Sequence, residues 1–470
     1  MDNKGPAVGV VAPADQPEDG VKLTTRSTVT GIPLYPDTAA TPQLSQFVVQ
    51  GFQDAWAAVV FLLCLLLVFV WGCVGFSTEL KSLSSGEISS VGGGYVVGMI
   101  FAVSAVSIIS AIGGLSLLMN FPTQSIYAAN IASSMLFLLA SVLAFIGGQI
   151  TGGVMLLIVG VIGLVWLHAV RARIPFSALL LKVSTSVTQR YVFSVIVNFI
   201  VSGAFIVFAI FWSAAALPAF NATYASRGNG GIDSFLSLFF VLILYWVAET
   251  TANVIHVTSS GLGATWFFVG GFKCMPRNPT LASLRRALTT SFGSICLGSF
   301  FVALVRLIRY MVRQALRHEN QFVQCIAQCI LGCIEWMMVY FNKYAFVQVA
   351  IYGTGYFESA RRAWDLMEQC GYSQLFNDVL VGRTLNAMCI SASALIGIAV
   401  AIITMNASVG FIAFAISLFI HRAAYRTIES ICVTLFVCFA ESPETLRGAS
   451  PELYTAITSA DMGATHQQRV

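Results

Sequence analysis

From Ala55 onward, apolar runs of about 20 residues alternate with short polar stretches almost to the end of the chain. A helix needs about 20 apolar residues to cross the ~30 Å hydrocarbon core of a bilayer. On that rule ten spans are predicted, at roughly 55–76, 95–119, 127–148, 151–170, 191–217, 234–257, 290–311, 320–342, 385–406 and 410–438. Thirteen prolines and 39 glycines are scattered through the chain, which suits helical spans better than barrel strands. The expected fold is an all-α polytopic membrane bundle of about ten transmembrane helices. Residues 1–50 are polar, proline-containing and without period, and read as a disordered tail. Residues 51–440 form the expected membrane domain and 441–470 a second tail. No signal peptide opens the chain, so the first apolar run reads as a signal anchor.

Composition agrees with the pattern. The chain of 470 residues is 57% hydrophobic and 10% charged, against about 45–50% and about 25% in soluble domains. The net charge of +4 is small, and no basic tract points to nucleic acid. Orientation follows from Lys and Arg, which collect in cytosolic loops. The loops after the fourth, sixth and eighth spans carry Arg171, Arg173, Lys182 and Arg190, then Lys273, Arg277, Arg285 and Arg286, then Lys343, Arg361, Arg362 and Arg383. The loops after spans one, three, five and nine hold only Lys81 and Arg227. Both termini are therefore expected in the cytosol. Two sequons, at Asn221 and Asn406, fall in loops on the external side, and Asn221 is the candidate glycosylation site. Arg306, Arg309, Arg313 and Arg317 break the rule, because they follow the seventh span on the external side. They share one helix face, and either line an aqueous vestibule or mark misplaced spans.

Two stretches on the basic side are amphipathic: "RIPFSALLLKVSTSVTQR" (173–190) and "FESARRAWDLMEQC" (357–370). Such helices lie on the membrane surface or close the inner mouth of a bundle. Of 11 cysteines, most sit in apolar runs, and no spacing reads as a metal site. Cys325, Cys329 and Cys333 share one helix face, as packing residues or as acylation sites at a membrane edge.

Candidate chemistry lies inside the membrane, in "YWVAETTANVIH". On a helix, Trp246, Glu249, Asn253 and His256 form one stripe, flanked by Tyr245. A charged residue at mid-bilayer costs about 2.5–3.5 kcal/mol and persists only facing a partner, a cavity or a ligand. Rings beside a carboxylate suit an organic cation, since ring faces attract a quaternary ammonium and the carboxylate balances its charge. Against this, Trp and Tyr also populate membrane interfaces, and Asn253 and His256 can bond across helices. Trp266 follows Gly261 and Gly263, which either break the sixth span or let another helix approach. His421, Arg422, Tyr425, Arg426 and Glu429 form a second polar stripe in the last span, and Glu335 beside Trp336 repeats the carboxylate-and-ring theme. No enzyme motif, metal cluster or cofactor signature is present in the sequence.

The stretches "RIPFSALLLK", "SSGLGATWFF", "SFGSICLGSFFVALVRLIR", "FNKYAFVQVAIYGTGYFESARRAWDLM" and "VTLFVCFAESPETLRG" occur in this order from about residue 170 onward. In them the chain resembles the choline transporter-like family (solute carrier family 44). The short stretch 77–94, without cysteine, is similar to the short-loop fungal, plant and protist members. The resemblance implies ten spans, cytosolic termini and carriage of choline or a related amine such as ethanolamine, most naturally at the plasma membrane. The candidate cation-binding residues, Tyr245, Trp246, Glu249, Asn253, His256 and Trp266, rest on the physical argument alone. Proton coupling through Glu249 or His256 is open to such a carrier. The alternative from another class is a membrane scaffold or lipid-organising protein whose polar stripes only join helices.

Overall fold

A computed structural model describes residues 51–84, 93–225, 231–272, 275–318, 320–370, 372–452 and 454–455. The expected N-terminal tail, 1–50, lies outside them. The described residues form helices throughout, with no strand among them. Ten helices are long and apolar enough to span: α1 (Ala55–Ser84), α2 (Gly93–Asn120), α3 (Pro122–Ile146), α4 (Ile150–Ala169), α6 (Phe193–Ala225), α7 (Gly231–Phe268), α9 (Phe292–Ala315), α10 (Gln321–Tyr352), α12 (Tyr372–Thr404) and α13 (Ala407–Glu441). Four shorter helices join or follow them: α5 (Ile174–Arg190), α8 (Pro279–Leu288), α11 (Tyr356–Cys370) and α14 (Pro443–Ala449).

The ten expected spans are all present, and the two amphipathic stretches are α5 and α11. Several spans are longer than their apolar runs. α7 continues eleven residues past the expected end at 257, through Gly261 and Gly263, without a break. The glycines are packing sites. A Cβ at Gly261 would meet Ser283 Oγ of α8 at 2.7 Å, and one at Gly263 would meet Ile431 of α13 at 3.3 Å. α12 begins well before 385 and carries Asp378 and Arg383 inside its span. The expected C-terminal tail begins with α14, which packs on α7 and α13 and buries Leu446.

α7 and α13 form the centre of the bundle and pack on each other. α1, α6, α9 and α10 surround α7; α2 and α12 flank α13; α3 backs α12, and α4 packs on α3 at the periphery. α5 lies across α2, α3, α12 and α13. Large apolar side chains on α1 and α4, such as Leu67, Phe69 and Val165, are exposed, as lipid-facing positions must be when hydrocarbon replaces water.

The start of α1 is tied to the far half of the chain at one end of the bundle. Gln53 N–H donates to Thr290 O at 3.0 Å. Asp54 sits in the left-handed region at φ 49°, a conformation that Asp and Asn tolerate. Its Oδ2 accepts from Ser294 Oγ and from the Tyr356 N–H, both at 2.7 Å. It thus satisfies one of the orphan donors at the α11 N-terminus. At the same end, Glu441 at the close of α13 accepts from Gln348 at 2.5 Å and from Tyr352 OH at 2.6 Å. The first and last spans therefore begin and end on the face that carries α8 and α11.

Replacing Asp54 by Ala removes the acceptor of both hydrogen bonds at once. Asp54→Ala is expected to cost about 1–2 kcal/mol and to lower the melting temperature of the purified protein. Asp54→Asn keeps an acceptor and the left-handed backbone and should lose less; an unchanged melting temperature in Asp54→Ala would remove the clamp.

Candidate functional site

The polar stripe of α7 meets α9, α10 and α13. Trp246 Nε1–H donates to Cys296 O at 2.9 Å, and its ring lies edge-on to Phe61 and Phe300. Asn253 Nδ2 donates to Ser299 Oγ at 2.9 Å. Glu249 accepts from Arg306 Nη1. Arg306 also donates through Nε to Glu335 at 2.8 Å, and Arg309 Nη1 reaches the other oxygen of Glu335 at 2.6 Å. Arg309 Nε reaches Gln328 at 3.1 Å. Arg306 and Arg309, two of the four arginines that break the charge rule, thus belong to a network joining α7, α9 and α10, and the spans stand where hydropathy puts them. The Glu249 side chain is 12% exposed and that of Arg306 28%.

A second network joins α7, α10, α12 and α13. Lys343 Nζ lies 3.0 Å from Glu429 and 3.3 Å from Asp378. Tyr344 OH donates to Asp378 at 3.2 Å and pairs with Tyr340 OH at 2.9 Å. His256 Nε2 lies 2.9 Å from Lys343 O, and Nδ1 lies 2.8 Å from Ser430 Oγ. A carbonyl only accepts, so in the neutral ring Nε2 carries the proton and Nδ1 accepts from the serine hydroxyl. Trp336, Tyr340 and Tyr344 follow one turn apart on α10, the first pair stacked with centroids 5.3 Å apart and the second tilted at 5.2 Å. This ladder of rings runs from the exposed Trp336 to the buried Tyr344 beside Asp378.

The second polar stripe is the most informative feature of α13. From Ile420 to Cys438 every residue is buried except Arg422, Arg426 and Glu429. These three recur at i, i+4 and i+7, on one face. Arg422 donates to Asn386 of α12, and Glu429 pairs with Lys343 of α10. Arg426 feels the field of Glu249 and Arg306 as well as that of its neighbours Glu429 and Arg422. The stripe therefore faces polar side chains of α10 and α12 rather than lipid alone. An arginine turned to lipid at that depth would cost about 2.5–3.5 kcal/mol or more.

Of the residues singled out in the sequence, Glu249, Asn253 and His256 lie in this polar interior, each with a protein partner. Tyr245 is half-buried against the core. Trp246 is 4% exposed and Trp266 2%, the latter packed edge-on to Phe272 at 5.8 Å. Asn221 is exposed, in the last turns of α6 rather than in a loop. Asn406 is the N-cap of α13 and accepts from Ser408 N at 2.9 Å. Sequence reasoning put Lys343 in the loop after the eighth span, whereas it lies inside α10, and passed over Asp378 and the Tyr340–Tyr344 pair; the one available signal was the four-residue spacing of Trp336, Tyr340 and Tyr344. No described group of His, Cys, Asp and Glu has metal-site geometry.

Comparison with known proteins places this architecture. The family model described as plasma-membrane choline transporter matches residues 154–444, which include every member of both networks. A CTL-like protein of Dictyostelium discoideum is 31% identical over 429 residues, covering 88% of this chain and 76% of that protein. Protein PNS1 of Saccharomyces cerevisiae is 26% identical over 448 residues, 86% of this chain and 82% of its own. Protein PNS1 of Yarrowia lipolytica is 29% identical over 342 residues, 66% of this chain and 60% of its own. The chain therefore belongs to the plasma-membrane choline transporter family and is a multi-pass membrane transporter rather than an enzyme.

Proposed function

We propose that the chain is a secondary carrier of choline or a related organic amine such as ethanolamine. One observation carries the reading: each network holds a basic side chain between two carboxylates. Arg306 is shared by Glu249 and Glu335, and Lys343 by Glu429 and Asp378. One carboxylate of each pair can turn to an incoming cation without leaving the basic residue alone. Glu249 is the proposed counter-charge on α7. Tyr245 flanks it, Asn253 and His256 offer polar contacts deeper along the stripe, and Trp246 is the packed wall behind it; Trp266, about 25 Å further along the same helix, packs on Phe272 and takes no part. The Tyr340 ring stands beside Lys343 and Asp378, ready to offer a face to a quaternary ammonium.

The scaffold reading keeps one observation of its own, that Glu249, Asn253 and His256 each already have a protein partner. Choline uptake into proteoliposomes and one mutant separate the two. Glu249→Gln keeps the shape and leaves Arg306 bonded to Glu335. On the carrier reading it weakens choline binding by about 1–3 kcal/mol, the range for a lost charge-assisted contact, with the melting temperature largely kept. A depressed melting temperature with unchanged choline affinity would decide for the scaffold.

The proposed orientation puts the face bearing α5, α8 and α11 in the cytosol, where Arg171, Arg173, Arg190, Arg277, Arg285, Arg286, Arg361 and Arg362 gather. Asn221 then faces outward and carries a glycan. The likeness to amoebal and fungal relatives favours the short-loop group. Glycosidase treatment of protein expressed in a eukaryotic cell should raise its mobility, and Asn221→Gln should abolish the shift. A shift that survives the mutation refutes Asn221 as the site.

A further inference from the structure

The polar interior holds more positive charge than its carboxylates neutralise. Among the described residues, Arg306, Arg309, Lys343, Arg422 and Arg426 face Glu249, Glu335, Asp378 and Glu429. The four carboxylates are taken up by Arg306, Arg309 and Lys343. Arg422 has only the neutral oxygen of Asn386. Arg426 has no hydrogen bond or ion pair within 4 Å among the described residues, though Glu429 stands one turn further on. Two guanidinium groups four residues apart on one helix face repel each other. They are also the two exposed positions on a stretch otherwise buried on every side but that of Glu429. An organic cation entering this space would add to the excess rather than relieve it.

We infer that Arg422 and Arg426, on the inner face of α13, bind an oxyanion group, a phosphate or a carboxylate. The guanidinium fork matches the paired oxygens of such a group, and its charge offsets the repulsion between the two arginines. The anion arrives in one of two ways, on the cargo itself as part of a zwitterion, or as a separate ion beside it. The inference stands on the arginines and does not depend on the cation reading.

The test uses the full chain, purified and reconstituted in lipid nanodiscs, with inorganic phosphate, phosphocholine and choline chloride as probes. Wild type should bind phosphate or phosphocholine, and Arg426→Gln and Arg422→Gln should each weaken that binding about tenfold or more. Arg426→Lys, which keeps the charge without the fork, should fall between. Phosphocholine binding far tighter than either choline or phosphate alone puts the oxyanion on the cargo. Phosphate that binds by itself and tightens choline binding makes it a separate ion. Phosphate binding in a protein that ignores choline would sink the cation reading and keep this one. The inference is overturned if wild type binds neither phosphate nor phosphocholine. It is equally overturned if both glutamine variants bind them as wild type does while melting at a lower temperature, which would make the arginines purely structural.

Discussion

An ionised side chain inside a bilayer must meet opposite charge or water, and the interior of this bundle is arranged around that requirement. Glu249 on α7 is answered by Arg306 on α9, which is answered in turn by Glu335 on α10. Removing the shared base, Arg306, would cost about 3–5 kcal/mol, because Glu249 would be left uncompensated. The network therefore fixes the relative position of three helices that apolar packing alone would leave free to slide, since lipid tails compete equally for apolar faces. Lys343, Asp378 and Glu429 do the same for α10, α12 and α13.

The fold was largely legible because a single physical quantity, apolar length against bilayer thickness, sets the number of spans. It failed at the ends for the same reason. α7 reads as ending at 257 because Thr258, Ser259 and Ser260 dilute its hydropathy, yet all three are buried and Gly261 and Gly263 let α8 and α13 close over the helix. α12 reads as starting at 385 because Asp378 and Arg383 interrupt the apolar run. In the bundle Asp378 is held by Lys343, and the Arg383 guanidinium lies 5.8 Å over the Trp166 ring. α8 escaped notice because ten residues with two arginines carry no span signal; only Pro279 in its first turn announces a helix.

The site was legible by residue and not by partner. An intramembrane carboxylate is conspicuous, and so are arginines on the wrong side of the charge rule, but Glu249 and Arg306 lie 57 positions apart. Nothing in one sequence says that they meet. The rings were harder still. Trp246 stands beside Glu249 in the chain, but its indole N–H is taken by Cys296 O and its faces by phenylalanines. The ring nearest the second carboxylate group is Tyr344, whose OH donates to Asp378 at 3.2 Å with Tyr340 behind it, both contributed by another helix altogether.

These two facts, carboxylates held two to a basic residue and arginines paired with no carboxylate, bear on how tightly a carrier of this design can grip its cargo. A cation that takes Glu429 leaves Lys343 with Asp378 at 3.3 Å, so it competes against part of an ion pair rather than all of one. One or two ring faces add about 0.5–2 kcal/mol each. Against that stands the repulsion of Arg426, one turn away on the same face. The balance favours weak, readily reversed binding of a bare cation, which suits a carrier that must also release. It also makes the charge at Arg422 and Arg426 the control of affinity: whatever neutralises those two guanidinium groups raises the hold on the cation from the same side of the polar interior. On this argument the rings and carboxylates set which cation is admitted, and the arginines set how firmly it is kept.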